Sequence, residues 1–102
     1  MNIQYIATLF RNSKSEYEKI GSVEVSVPHK KPNIIKMIYD DKFKINLDNS
    51  NKRLSNKQFI LLLEPKFEPK TYSFYLIWTN KRGNADNVIN IGYDEKIREL
   101  TS

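Results

Sequence analysis

Proline cannot donate to a β ladder and clashes inside a helix, so the four prolines of this chain mark where its regular elements stop. They form two copies of one spacing, Pro28-x-x-x-Pro32 and Pro65-x-x-x-Pro69, set 37 residues apart. The same offset superimposes Asn12-Ser13 on Asn49-Ser50 and Val23-Glu24-Val25 on Ile60-Leu61-Leu62. A two-residue adjustment then brings Ile38-Tyr39-Asp40-Asp41-Lys42 onto Ile77-Trp78-Thr79-Asn80-Lys81. This outlines a duplicated unit of strand, polar loop, strand, proline connector and strand, running from about 2 to 42 and again from 43 to 81, with an appendage at 82–102. A plainer reading is that small β domains place prolines after strands in any case. Only four of the twenty-one positions from Asn12 to Pro32 are identical at that offset.

A chain of 102 residues suits one domain over 1–102. Half of it would barely offset its own chain entropy, so two such units are expected to share one core. A hydrophobic fraction of 39% against 28% charged residues places the chain among folding sequences. No run approaches the roughly 20 apolar residues of a membrane span. The N-terminus shows no basic, apolar and small-residue succession of a signal peptide. The expectation is therefore a soluble protein inside a cell, with no membrane partner.

Local pattern favours strands. Ile3 to Phe10 is rich in β-branched and aromatic residues, and Val23, Val25 and Val27 alternate with Glu24 and Ser26, so the two segments read as a hairpin separated by the polar stretch from Arg11 to Lys19. Ile34 to Tyr39 satisfies both strand and helix spacing; the flanking proline and the Asp40-Asp41 pair favour strand, with Asp40-Asp41 as a turn. Phe43, Ile45 and Leu47 alternate as a further strand before a polar segment from Asp48 to Lys57. Phe59 to Leu63 is continuously apolar, as in a strand covered on both faces. Thr71 to Trp78 reads as another central strand, Val88 to Ile91 as the last, with Gly83 supplying a positive φ in the turn between them and Gly92 marking a bulge or strand exit. Asp94 would cap a short C-terminal helix with Ile97 and Leu100 on one face. The fold class expected is mainly β, or α+β: one domain of two similar β motifs with a short C-terminal helix.

The chemistry available is narrow. No cysteine is present, which removes disulfides, thiolate catalysis and cysteine-bound zinc. His29 is the sole histidine, the carboxylates follow no metal-ligand spacing, and Gly21, Gly83 and Gly92 are too isolated to cradle a phosphate. Neither an enzyme, a cofactor nor a metal is expected. Binding is the remaining class.

Two motifs side by side would leave a seam bordered by strand edges, which can accept an extended protein or peptide segment by strand addition. Tyr39 and Trp78 occupy matched positions in the two copies and are the candidate residues at that seam; packing in the core is the alternative for each. The same edges would equally serve a homodimer. A net charge of +5, with basic residues at Lys30, Lys31, Lys52, Arg53, Lys81 and Arg82, supports a second reading: nonspecific nucleic-acid binding, with phosphates held by the cations and bases stacked on aromatic rings. No sequence-reading motif accompanies these residues.

In length, single motif-free domain, lack of cysteine and the Lys-, Asn-, Ile- and Tyr-rich texture of Asn33 to Lys57, the chain resembles the small orphan proteins of archaeal filamentous viruses of the Acidianus type. The resemblance implies an accessory viral protein in the host cytoplasm, with virion association left open. Asparagines at 49, 51, 56, 84 and 87 depart from thermophilic composition. They fit a mesophilic phage or an AT-rich bacterial genome equally.

Overall fold

A computed structural model of the chain describes residues 3–13, 16–28, 32–44, 58–67 and 72–92. Its framework is one antiparallel sheet of five strands: β1 (Ile3–Ser13), β2 (Glu16–Val27), β3 (Gln58–Pro65), β4 (Ser73–Thr79) and β5 (Ala85–Gly92), in the order β2-β1-β3-β4-β5. Between β2 and β3 the chain forms one helix, α1 (Pro32–Ile38), which runs on as a π-helical segment, Tyr39–Lys44. The protein is thus mainly β, with one short helix.

Strict alternation divides the sheet into two apolar faces. Tyr5, Ala7 and Leu9 of β1, Val25 and Val27 of β2, Phe59, Leu61 and Leu63 of β3, Tyr75 and Ile77 of β4 and Val88 of β5 form one cluster with Ile35, Ile38, Tyr39 and Phe43 from the helical segment. The opposite face gathers Phe10, Ile60, Leu62 and Phe74, with Tyr17, Tyr72, Leu76 and Ile91 packed around them. β3 supplies both clusters because it lies in the middle of the sheet and is buried on both sides. Its continuous apolar run is the signature expected of that position.

The hairpin is longer than the sequence predicts. Much of the polar stretch after Phe10 is paired, with Phe10 opposite Lys19, Arg11 opposite Glu18 and Asn12 opposite Tyr17. A register shift between Leu9 and Phe10 lets this extension continue past Gly21. Arg11 and Glu18 form an ion pair across it, but such a pair in water is worth at most about 1 kcal/mol. Backbone pairing and the packing of Tyr17 carry the extension.

The segment from Ile34 to Tyr39, read as a strand from its sequence, is helical instead. Pro32 stands in the first turn, where its missing N–H costs nothing. Ile35, Ile38, Tyr39 and Phe43 fall at three- and four-residue intervals and are all buried, the stripe a helix needs to cover a sheet. Asp40-Asp41 is correspondingly not a turn but part of the π-helical segment, and an Asp40 carboxylate oxygen accepts a hydrogen bond from the Ala85 backbone N–H at 3.1 Å. Phe43, read as the start of a strand, belongs to the same segment. Ile45, Leu47, the polar segment to Lys57 and the proposed C-terminal helix lie outside the described residues.

These corrections bear on the duplication, which the structure does not show. Ile38 to Lys42 is helical, whereas its counterpart, Ile77 to Lys81, finishes β4 and enters a turn. Val23-Glu24-Val25 lies in an outer strand and Ile60-Leu61-Leu62 in the central one. The turn itself matches expectation: Asn80 Oδ1 accepts from the N–H groups of Arg82 and Asn84, and Gly83 adopts φ 78°. Gly92 has φ 68° and pairs with Phe74 at a register shift, where β5 ends.

Leu61 is fully buried at the centre of the sheet. Truncating it, Leu61→Ala, is expected to cost about 2–5 kcal/mol in urea unfolding. Gly83→Ala, which puts a Cβ into a left-handed conformation, is expected to cost about 1–2 kcal/mol in the same assay.

Candidate functional site

The two aromatic residues proposed for a common seam lie on opposite faces of the sheet. Tyr39 is 0% exposed, its ring centroid 5.5 Å from that of Phe59 at an interplanar angle of 47°. Trp78 is 41% exposed and stands in register with Gln58. Gln58 and Phe59 are consecutive residues of β3, and consecutive strand residues point to opposite sides. The helical segment therefore covers the face that carries Tyr39, and Trp78 looks away from it. Nor is a seam of free edges present between the first two strands and the rest: β1 pairs with β3 from Tyr5 opposite Pro65 to Arg11 opposite Phe59.

Of the basic residues, Lys81 and Arg82 are exposed in the turn between β4 and β5. Lys30, Lys31, Lys52 and Arg53 lie outside the described residues. The strand end that precedes Lys30 and Lys31, Val27, pairs with Ile3, at the opposite end of the sheet from the Lys81-Arg82 turn.

A concave site lies at the outer margin instead. Among the described residues no strand lies beyond β2, and the helical segment faces its second half across a hollow. Between them runs a groove of about 210 Å³, lined by Glu24, Val25, Ser26 and Val27 of β2 and by Met37, Ile38, Asp41 and Lys42. Val25, Val27 and Ile38 are buried and make its apolar floor. Met37 stands 53% exposed at its rim, an unbranched and polarizable side chain able to fit different guests. A second hollow, also about 210 Å³, flanks the same stretch of β2 and is lined by Gln4, Glu24, Val25 and Ser26. The edge from Glu24 to Ser26 thus borders both cavities.

The charges at this margin are ordered by local contacts. Lys66 Nζ lies 3.0 Å from Glu24 Oε1 and 5.9 Å from the centroid of the Phe67 ring. Lys66 itself extends the β1–β3 ladder, its N–H donating to the Gln4 carbonyl. Asp41 and Lys42 sit side by side on the helical wall. Glu24 alternates with Val25 and Val27 and pairs with Lys66 on the opposite face, so the charges offered to the groove are those of Asp41 and Lys42.

Among the described residues, no cluster of three His, Cys, Asp or Glu is placed to hold a metal ion. No helix among them is long and apolar enough to cross a membrane. Met37 is not singled out by the sequence because the run from Ile34 reads as a strand. The signal was present, since Met37 is the one large apolar residue of that run that falls off the stripe of Ile35, Ile38 and Tyr39. Compared with known proteins, the chain matches no protein-family model, no curated protein and no solved structure.

Behind the groove, burial pushes the Tyr5 and Tyr75 hydroxyls above the usual tyrosine value of 10.0; for Tyr75 the neighbouring Tyr5 adds to the rise and a hydrogen bond with Ser73 opposes it. A raised pKa in the folded state favours the neutral phenol. The stability this contributes is complete below pH 10 and lost as the pH climbs through the folded-state values. Spectrophotometric titration is expected to show these tyrosines ionising later than a model tyrosine, with urea midpoints falling above pH 10. Tyr75→Phe should remove part of that alkaline fall.

Proposed function

We propose that the chain is a protein-binding module that takes an extended segment of a partner into the groove between the outer edge of β2 and the helical segment. The observation that supports it is the construction of the groove, with a strand edge that no other described strand pairs as one wall and a helix bearing an exposed methionine as the other. Every second residue of an outer strand turns its N–H and C=O away from the sheet. A guest strand hydrogen-bonds to these groups and gains affinity without regard to its sequence.

Selectivity comes from the side chains. A guest strand laid along Glu24 to Val27 points alternate residues toward the floor of Val25, Val27 and Ile38, where Met37 closes over an apolar side chain of moderate size. The intervening residues point toward Gln4 and Ser26. Asp41 favours a lysine or arginine in the guest, although the whole chain is net basic, because charge effects beyond about 8–10 Å are screened at physiological salt. Lys42 opposes a guest that is basic along its whole length. The preferred ligand is an extended segment with an apolar residue flanked by one basic residue.

The test is selection from a library of random peptides, with amide hydrogen exchange mapped on the bound state. The expected result is micromolar binding, slowed exchange confined to Glu24–Val27, and a loss of about tenfold in affinity, or about 1.4 kcal/mol, for Met37→Glu. Asp41→Lys should shift selection away from basic guests. Failure to retain any peptide, or protection that falls elsewhere, overturns the proposal. Retention of DNA or RNA in place of peptides, with affinity dropping steeply as salt rises, would favour the nucleic-acid reading.

A further inference from the structure

The face of the sheet turned away from the helical segment ends in a row of rings and amides. Tyr17 stands opposite Asn12, Asn12 Nδ2 donates to Gln58 Oε1 at 2.6 Å, Gln58 is in register with Trp78 and Trp78 with Asn87, so the row crosses all five strands. Phe10, Ile60 and Phe74, nearer the middle of this face, are buried. Trp78, by contrast, is 41% exposed, and Asn87 opposite it is exposed. Ile89, one diagonal step from Trp78 on the same face, is exposed as well. An indole surface therefore stands open to water on a paired strand, with a side-chain amide beside it.

The two ends of this face carry unlike charge. Glu24 and Glu64 both stand opposite Ile6 at one end, where Lys66 pairs with Glu24. At the other end Lys19, opposite Phe10, is exposed, and so are Lys81 and Arg82 in the turn that follows Trp78. Asp86 is exposed beside that turn. Glu18 and Asp40 are turned to the other face, where Arg11 holds the first and the Ala85 N–H the second. Among the described side chains, the end that bears Trp78 is thus net positive.

We propose that this end of the face binds single-stranded nucleic acid without sequence preference: a base stacks on Trp78, its edge meets the Asn87 amide, and the adjoining phosphates lie against Lys81 and Arg82. The inference is independent of the β2 groove, which opens on the face that carries the helix. A single strand can turn a base face toward a protein ring, whereas in a duplex the bases are stacked on one another. Every base has a π-face, and an amide offers both donors and an acceptor, so the stack and the hydrogen bond accept any base. Phosphates supply the negative charge that the cations lack. An acidic peptide would satisfy the cations but leave the ring and the amide without planar partners.

Trp78 is the one tryptophan of the chain, so its fluorescence reports on this surface alone. The test is titration of the full chain with a short oligothymidylate, followed by that fluorescence, from about 0.05 to 0.2 M salt. The expected result is saturable quenching at micromolar concentration, with affinity falling as salt rises. Lys81→Glu with Arg82→Glu should reduce the slope of log affinity against log salt by about 1.4, the share of two phosphate contacts on a single strand. Trp78→Ala, read by anisotropy of a labelled strand, should weaken binding about tenfold, with the circular dichroism unchanged. Met37→Glu should leave binding intact, which separates this surface from the groove. Absence of quenching, binding indifferent to Trp78→Ala, or a duplex bound as tightly as the single strand overturns the proposal. So does equal quenching by polyglutamate, which would assign the surface to an acidic peptide.

Discussion

The ladder between β1 and β3 is the constraint on which the molecule rests. It joins an N-terminal hairpin to a β3-β4-β5 meander, and neither part alone holds a complete core. Leu9 against Leu61 and Ala7 against Leu63 lie at its centre, fully buried. Tyr5 pairs with Pro65, sixty residues on along the chain, so this ladder closes the longest loop between paired strands among the described residues. Closing it costs entropy that local hairpins do not incur. Its formation also joins the edges at which a seam between two motifs was expected.

The helical segment depends on that ladder in turn. One face of the sheet presents Tyr5, Leu9, Phe59, Leu61, Leu63 and Ile77 as a continuous apolar surface, and Ile35, Ile38, Tyr39 and Phe43 cover it. The Asp40 hydrogen bond to Ala85 ties the cover to the start of β5, while Met37, Asp41 and Lys42 face the β2 margin. The same short segment thus completes the core, braces one outer strand and walls a groove beside the other. The two outer strands end up unlike, one bordering the groove and the other packed by the helix.

Much of this architecture was legible in the residues. The alternation of Val23, Val25 and Val27 gave the hairpin strand its facing, the unbroken run from Phe59 to Leu63 identified the strand buried on both sides, and Gly83 marked its turn. The run from Ile34 to Tyr39 misled because isoleucine suits a strand locally and its spacing fits a helix equally. What decided was a demand from elsewhere: an apolar sheet face eight or more residues away in sequence needed a stripe of three- and four-residue spacing to cover it. The paired positions of Tyr39 and Trp78 failed as a site for the same reason, since one lies beneath that cover and the other on the far side of the sheet. The groove itself was legible only in a trace, the lone methionine off the helical stripe.

The order of strands also has a consequence for how the protein is made. Synthesis runs from the N-terminus at about 5–20 residues per second, so β3 is complete roughly 2–8 s after β2, whereas a hairpin closes within about 10 μs. For those seconds the nascent hairpin holds Tyr5, Ala7 and Leu9 beside an unoccupied β1 edge. On the ribosome, the strand that ends up innermost but one spends its first moments as a margin, open to neighbouring chains until its proper partner emerges from the exit tunnel.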